Sequence, residues 1–380
     1  MGLQEKLRQP AKCVVKIDGQ EIVDFYPYLE QVSIETSRKS AAVCTLTFTS
    51  VRDEFGQWNI QDKEADLLVP WRSILIEAFF GADKEEIMRG FIRDIKIDYP
   101  NDMGAKVIVT GQDETILLDR KHVRETFSTL EQPLMDDALV KELLKPHWVG
   151  SNVEAQTGTT CGNLYFDGTP IRLIKKRAAL NGYEFLIREG KAYFGPPKLE
   201  GTPQPVILIY AGPASNCVNF SLLHDGHRPD SVLFSGAAEN DDENKTYSST
   251  HSSNTQPLGT TPANSKDKGL DDFSWYVQTP QGSTPEEREA YAKAKAEEAT
   301  WKIRATGELD GSMYGHVLQT NRTVKVDGIG STYSGLWYVD EVKHRFSIDG
   351  YLQAFQLIRN ATGEMDSMGK PDALAGVRQR

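Results

Sequence analysis

The sequence predicts a mainly β protein with an α+β insert, built around two related small β-barrels in a pseudo-duplicated arrangement. Three observations carry this. Short period-two runs rich in β-branched and aromatic residues fill residues 11–118, with turn residues and no helix between them, and such runs resume after residue 206. A block of helical spacing followed by a hairpin pattern occupies residues 130–198. A strand–turn–strand pattern near the end of the first β region recurs near the end of the second.

In chain order, Cys13 to Ile17 alternates, Asp18-Gly19 is a turn signal, and Ile22 to Phe25 alternates back, which predicts a hairpin. Val32 to Glu35, Val43 to Phe48, Ser73 to Phe80, Gly90 to Tyr99 and Lys106 to Thr110 follow as strands. Leu130 to Leu144 switches to helical spacing, with Met135, Leu139 and Leu143 on one stripe and Pro146 ending the run. A second helix is expected from Pro170 to Leu180, with Thr169 as N-cap and Gly182 just past its end. Tyr183 to Ile187 and Ala192 to Phe194 then form a hairpin about Glu189-Gly190.

Strands resume at Val206 to Tyr210, Cys217 to Leu222 and Ser231 to Ser235. Residues 238–269 are polar and of low complexity, too poor in apolar side chains to offset the entropy of ordering, and are expected to be a mobile loop anchored at most by Tyr247 and Leu258. Thr284-Pro285-Glu286-Glu287 is a capping-box start for a helix expected to reach Arg304 and to stop at Gly307. Strands return at Arg322 to Val326, Leu336 to Phe346 and Tyr351 to Ile358. The domain reading is therefore 1–120 for the first barrel, 121–200 for the insert, 201–361 for the second barrel with the loop 238–269 and helix 284–304, and 362–380 for a polar tail.

The duplication rests on named residues. Arg72, Ile74 and Ile76 precede a turn and the run Gly90 to Ile97; Arg322, Val324 and Val326 precede a turn and the run Trp337 to His344. Phe91 aligns with Tyr338, Ile92 with Val339, Asp94 with Glu341, Ile95 with Val342 and Lys96 with Lys343, without a gap. These are the candidate interface or duplicated-barrel residues. Of the neighbours Trp337 and Tyr338, one is expected to face the barrel core and the other outward, at a rim or in a subunit interface where aromatics are enriched. A trimer of such chains would present six quasi-equivalent barrels and could join a six-fold ring to a three-fold object.

Composition limits the function classes. Of 380 residues, 39% are hydrophobic and 26% charged, a soluble globular profile. No apolar run approaches the ~20 residues of a membrane helix. The first residues are charged, without the apolar core of a signal peptide, and Gly2 lacks the downstream Ser or Thr of a myristoylation site, so folding in a cytoplasm is expected. A net charge of −11, from 43 basic against 54 acidic residues, disfavours a protein that grips nucleic acid but suits a passage whose walls repel it. The four cysteines form no C-x-x-C pair. No His-Glu-x-x-His, P-loop or Gly-x-Ser-x-Gly motif is present. His224-Asp225-Gly226-His227 reads as a turn before it reads as a metal site, and Cys13, Cys44 and Cys217 read as buried free thiols. Cys161 is weighed as a hydrolase nucleophile and set aside. No catalytic, metal or cofactor residue is assigned, and no cofactor is expected.

The stretch Thr284 to Arg359, with its Ala-rich helix, the Arg322-Thr-Val-Lys-Val strand, Ser334 to Phe346 and Gly350-Tyr351, resembles the C-terminal part of the phage late-control D family. These are baseplate hub proteins of contractile tails, similar to the hub half of type VI secretion spike proteins. Ala178 to Tyr183 resembles the family's middle insert, and Gly111 to Leu118 the end of its first barrel. The resemblance implies a structural, non-enzymatic hub: a homotrimer joining tail tube to spike, lining the central channel, and contacting other baseplate wedge proteins. It implies location in the virion tail baseplate after assembly in the host bacterial cytoplasm, with DNA passing unbound. The chain shows no repeat β-helix after the second barrel, so the spike is expected to be a separate chain. A peptidoglycan-degrading tail enzyme and a host-surface binding module are the alternatives.

Overall fold

The computed structural model describes residues 10–62, 66–100, 104–147, 152–237, 246–251, 255–263, 273–278 and 284–364. The first β region contains β1 (Ala11–Ile17), β2 (Leu29–Ser37), β3 (Val43–Ser50), β4 (Ser73–Phe80), β5 (Asp83–Asp98) and β6 (Ala105–Asp113). Asp18 and Gly19 both adopt left-handed backbone (φ 48° and 81°), the two-residue turn expected after β1. The returning strand is only Gln20–Glu21, because Val23–Tyr28 winds into a 3-10 turn that buries Phe25 and contains Pro27, which has no N–H to give a ladder.

The insert follows, with β7 (Val123–Ser128), α1 (Asp136–Leu144), β8 (Val153–Ala155), β9 (Leu164–Gly168), α2 (Pro170–Asn181), β10 (Glu184–Arg188) and β11 (Lys191–Gly195). α1 is shorter than its periodicity suggests, since Leu134–Met135 pairs as a strand with Thr160–Cys161. α2 has the expected ends: Pro170 opens it and Gly182 closes it in the left-handed region (φ 68°). Its core is separate, built from side chains such as Leu139, Leu144, Leu173, Ile174 and Phe194.

The second β region contains β12 (Gln204–Leu208), β13 (Cys217–His224), β14 (Ser231–Ala237), β15 (Thr246–His251), β16 (Ser274–Val277), α3 (Pro285–Ala299), β17 (Ile303–Asp310), β18 (Thr323–Asp327), β19 (Gly335–Ser347) and β20 (Gly350–Arg359). The capping box of α3 is formed as predicted, between Thr284 and Glu287. α3 stops at Ala299 and not near Arg304: residues 303–310 alternate buried and less buried as a strand, and Gly307 lies inside it, where a Cβ would sit 2.5 Å from the Asn219 carbonyl oxygen. Within the stretch read as a mobile loop, β15 pairs with β14, and Leu258 is buried, its carbonyl accepting from the Arg359 guanidinium at 3.0 Å. The rest of the expected loop at 238–245, 252–254 and 264–269, and the tail beyond 364, lie outside the described residues.

Both β regions belong to one 13-stranded sheet that curls into a half-barrel. Its order is β13-β17-β20-β19-β2-β3-β6-β5-β4-β1, with β18 also on β19 and β12 on β18. The two related β units are therefore joined edge to edge, where β19 pairs antiparallel with β2 from Phe346 opposite Val32 to Glu341 opposite Ser37. One apolar core lies under the first unit, around Ile34, Leu46, Phe48 and Ile92, and another under the second, around Leu309, Trp337, Val342 and Leu357.

Candidate functional site: the seam of a duplicated sheet

The duplication extends to hydrogen-bond register. In the first unit Ser73 lies opposite Phe91 and Ile74 opposite Gly90; in the second Thr323 lies opposite Tyr338 and Val324 opposite Trp337. The ladder β5–β6 shifts register between Ile92 and Asp94, leaving Arg93 as a bulge, and β19–β20 shifts between Val339 and Glu341, leaving Asp340. β2–β3 shifts between Leu29 and Gln31, and β13–β17 between Cys217 and Asn219. A bulge is a specific local device, and finding it at equivalent places on two ladders makes chance similarity of hairpins a poor account. The entries into β4 and β18 match as well. Trp71 and Asn321 are both left-handed (φ 74° and 59°), and their amides donate to the carbonyls of Ile92 (2.7 Å) and Val339 (3.3 Å). Hence β2, β3, β6, β5 and β4 correspond to β13, β17, β20, β19 and β18.

The predicted residues separate into two groups. Ile92, Val339 and Val342 are fully buried in the sheet cores, and Phe91 is half-buried. Trp337 and Tyr338 do face opposite sides of β19, but neither points outward to solvent or to another subunit: both have 0% exposure. Trp337 fills the core beneath the sheet and donates its Nε1–H to the Tyr333 carbonyl at 3.0 Å. Tyr338 is covered on the other face, because α3 delivers Trp301 to stack on it (5.9 Å between ring centroids) and the insert supplies Glu184. Asp94 is exposed, and Ile95 and Glu341 are partly so.

Sequence reasoning missed the polar knot beneath this face. The Glu184 carboxylate, from the insert, accepts from the Arg38 guanidinium (3.2 Å), the Tyr338 hydroxyl (2.7 Å) and the Asn321 amide. Arg38 directly follows β2, and it also pairs with the Asp340 bulge through side chain and through its amide, which donates to the Asp340 carbonyl at 3.1 Å. One buried cluster thus fastens the first unit, the insert and the second unit at the seam. Burial outweighs its partners and lifts the Glu184 carboxyl above the usual carboxylate range. A second buried cluster fixes the insert to α3: Arg177 of α2 lies between Asp136 of α1 and Glu287 of α3. The only local signal was Glu184 within the otherwise apolar stretch Tyr183 to Ile187; Arg177 follows Lys175 and Lys176 and stood out in no way.

The residues weighed for chemistry are placed plainly. Cys161 is buried and within 3.4 Å of Asp136; burial pushes its thiol up to about 12, so it is protonated and a poor nucleophile at neutral pH. Cys44 is buried as expected, whereas Cys13 and Cys217 are only partly covered. Asp225 to His227 turn the chain at the end of β13, the Asp225 carboxylate accepting the His227 amide at 2.9 Å. An open cleft of about 820 Å³ runs between the insert and α3, lined among others by Arg38, Glu184, Tyr193, Glu297 and Trp301. It borders the knot, and on its wall Glu298 pairs with Lys39 at 2.7 Å and with Lys295 at 3.2 Å. No helix of the described residues is long and apolar enough to cross a membrane.

Solved structures with this arrangement include the 43 kDa tail protein of prophage MuSo2 from Shewanella oneidensis, similar over 93% of this chain and 99% of its own (TM-score 0.65, 12% identity). A tail protein from Neisseria meningitidis is similar over 92% and 97% (TM-score 0.65, 13% identity). An E. coli component of the type VI secretion system is similar over 94% and 80% (TM-score 0.52, 11% identity). At such identities the likeness is one of fold. No curated protein matches the sequence. The family model described as the Alg8 N-terminal domain matches residues 8–347, nearly the whole of the duplicated sheet and its insert, and the chain belongs to that family.

Proposed function

We propose that the chain is a structural subunit of a phage-tail-like injection machine: a baseplate hub of the late-control D kind, acting as a homotrimeric adaptor. Three copies would set six equivalent β units around a channel, matching a six-fold tail tube on one side and a separate three-fold spike on the other, with wedge proteins outside. The observation that carries this reading is the repeated five-strand unit, joined edge to edge within one curved sheet. A unit that already joins its own copy within a chain is suited to joining further copies between chains. The fold shared with two tail proteins over more than nine-tenths of the chain supports it. The role is geometric, without catalysis, cofactor or membrane segment, in a virion tail baseplate assembled in the bacterial cytoplasm. The net charge of −11 suits a lumen that passes DNA unbound.

Light scattering on the purified protein tests it. The expected mass is three times that of one chain, with ring-shaped particles in electron micrographs. A monomer or dimer under native conditions overturns the trimer, and clearing of a peptidoglycan suspension overturns the non-catalytic role.

A further inference from the structure

We propose that the free edge of β13 in one chain pairs with the free edge of β5, from Asp94 to Asp98, in a second copy of the chain, antiparallel and in the register of the β2–β19 seam. The inference rests on the ring reading above and specifies how the ring is joined.

One edge of β19 is shared. Residues 335–338 hold β18, and residues 341–346 hold β2. The equivalent edge of β5 holds β4 as far as Phe91; from Asp94 to Asp98 it carries no strand among the described residues. β13, the counterpart of β2, pairs with β17 on one side and with no described strand on the other. Transferring the seam through the bulge alignment places Ile95 opposite His224, Ile97 opposite Leu222, Asp98 opposite Ser221 and Tyr99 opposite Phe220.

Burial agrees position by position. In the intrachain seam Val32, Ile34, Val342, His344 and Phe346 are all at most 8% exposed. Their counterparts Phe220, Leu222, Ile95 and Ile97 are only half-buried, and Tyr99 is 58% exposed. Both free edges therefore leave uncovered the apolar positions that the closed seam covers, and one occupant covers both. Charge is arranged differently at the two edges. At the closed seam the bulge residue is the acid Asp340 and its partner the base Arg38. At the open edge the bulge residue is the base Arg93, the counterpart of Arg38 is Gly226, and the register sets Asp225 opposite Asp94. Arg93 already holds Asp94 at 2.7 Å and lies beside that position, where it can bridge both carboxylates. Because the two edges differ, the contact is heterologous: it propagates from chain to chain until the rotation closes a ring.

The test is oxidation of a double variant, Asp98→Cys with Ser221→Cys, in a Cys217→Ser background. Directly opposed antiparallel residues lie within disulfide reach, whereas Asp98→Cys with Leu223→Cys, two residues out of register, exceeds the about 7 Å limit. The expected result is a covalent ladder up to trimer from the first pair and none from the second or from single variants. A particle of three chains without that ladder overturns the register and leaves the hub reading standing. A monomer without it overturns both. A ladder running past trimer supports the register and overturns three-fold closure. Hydrogen exchange on the unaltered protein serves if the variants fail to fold: protection is expected at those amides of 94–98 that point away from β6, and exchange at them as fast as in a free chain overturns the pairing.

Discussion

Glu184 offers the sharpest test of how the three parts of the chain are held together. Its carboxylate is almost wholly buried, with a side-chain exposure of 3%, and it is shared by Arg38, Tyr338 and Asn321. In Glu184→Ala the Tyr338 hydroxyl loses its acceptor and the Asn321 amide keeps only the Tyr338 oxygen at 3.2 Å, while Arg38 keeps Asp340. Breaking a buried charged cluster from one side costs about 3–5 kcal/mol. Glu184→Gln keeps the volume and one acceptor oxygen but turns an amide donor toward the donors Arg38, Tyr338 and Asn321, at about 1–3 kcal/mol. The expected order of stability is therefore wild type, Gln, Ala. Urea unfolding followed by tryptophan fluorescence reads it directly, because Trp301 stacks on Tyr338 within the same cluster. The pH sign adds a check. The folded carboxyl titrates above its ordinary range, so the folded state binds the proton more readily than the unfolded one. The stability this gives is fully present at low pH and is lost as pH rises through the folded value. The cost of Glu184→Gln should thus be larger near pH 4 than near pH 8. An Ala variant within ~0.5 kcal/mol of wild type, the usual range of surface substitutions, would refute the claim that this cluster fastens the seam.

Three further outcomes follow from the same packing. Arg177→Met leaves Asp136 and Glu287 buried without their cation, and should cost about 3–5 kcal/mol in urea unfolding, with proteolysis of the insert accelerated. His344, buried in the closed seam with Nδ1 2.9 Å from the Tyr351 hydroxyl, is pushed by burial down to about 3. Its unfolded form takes up a proton below ~6.5, so wild-type stability should fall as pH drops, by about 1.4 kcal/mol per unit, and His344→Gln should flatten that slope in acid-unfolding curves. At Gly111 an added Cβ would meet the Cys44 sulfur at 2.6 Å and Ile74 at 3.3 Å; Gly111→Ala should cost about 1–3 kcal/mol, and adding Cys44→Ala should recover much of it in the same unfolding assay.

What the sequence made legible was local or repeated. Pro170 and Gly182 bound α2 because each acts on its own backbone torsion, and the Thr284–Glu287 box marks α3 because both partners lie within one turn. The duplicated run could be aligned because each copy keeps the same order of inward and outward residues. Pairings across the whole chain left no such mark. β2 meets β19 about three hundred positions away, and nothing near Val32 announces it. The end of α3 was misjudged because Ile303 continues both a helical stripe and a strand alternation, and the sheet prevails by pairing it on both sides. Tyr338 was expected near a surface because strand alternation tells which face a residue is on, not what lies over that face. Arg38, Glu184 and Asn321 join it only in three dimensions.

The two halves of the sheet have diverged in the way their different circumstances require. The β2–β19 seam forms within one chain, where its strands are tethered together and never meet water as free edges. It can therefore hold groups that would be costly to expose or to charge, such as a neutral buried His344 and the stacked pair Phe346 and Tyr351, whose ring centroids are 3.9 Å apart. On the proposed pairing, the β5 and β13 edges have to remain soluble until a second copy arrives. An unpaired edge is a template for indiscriminate strand addition, and charges placed along it hold that in check. β5 carries Asp94, Lys96 and Asp98 in alternation on its outer face, over the half-covered Ile95 and Ile97, and β13 carries Asn219 and Ser221, followed in alternation by the exposed Leu223. The closed seam uses the same alternation differently: Glu35 and Lys343 already pair at 2.6 Å. What distinguishes the halves is thus not their strand order, which is shared, but whether the edge is closed within the chain, as at β2–β19, or left open, as at β5 and β13.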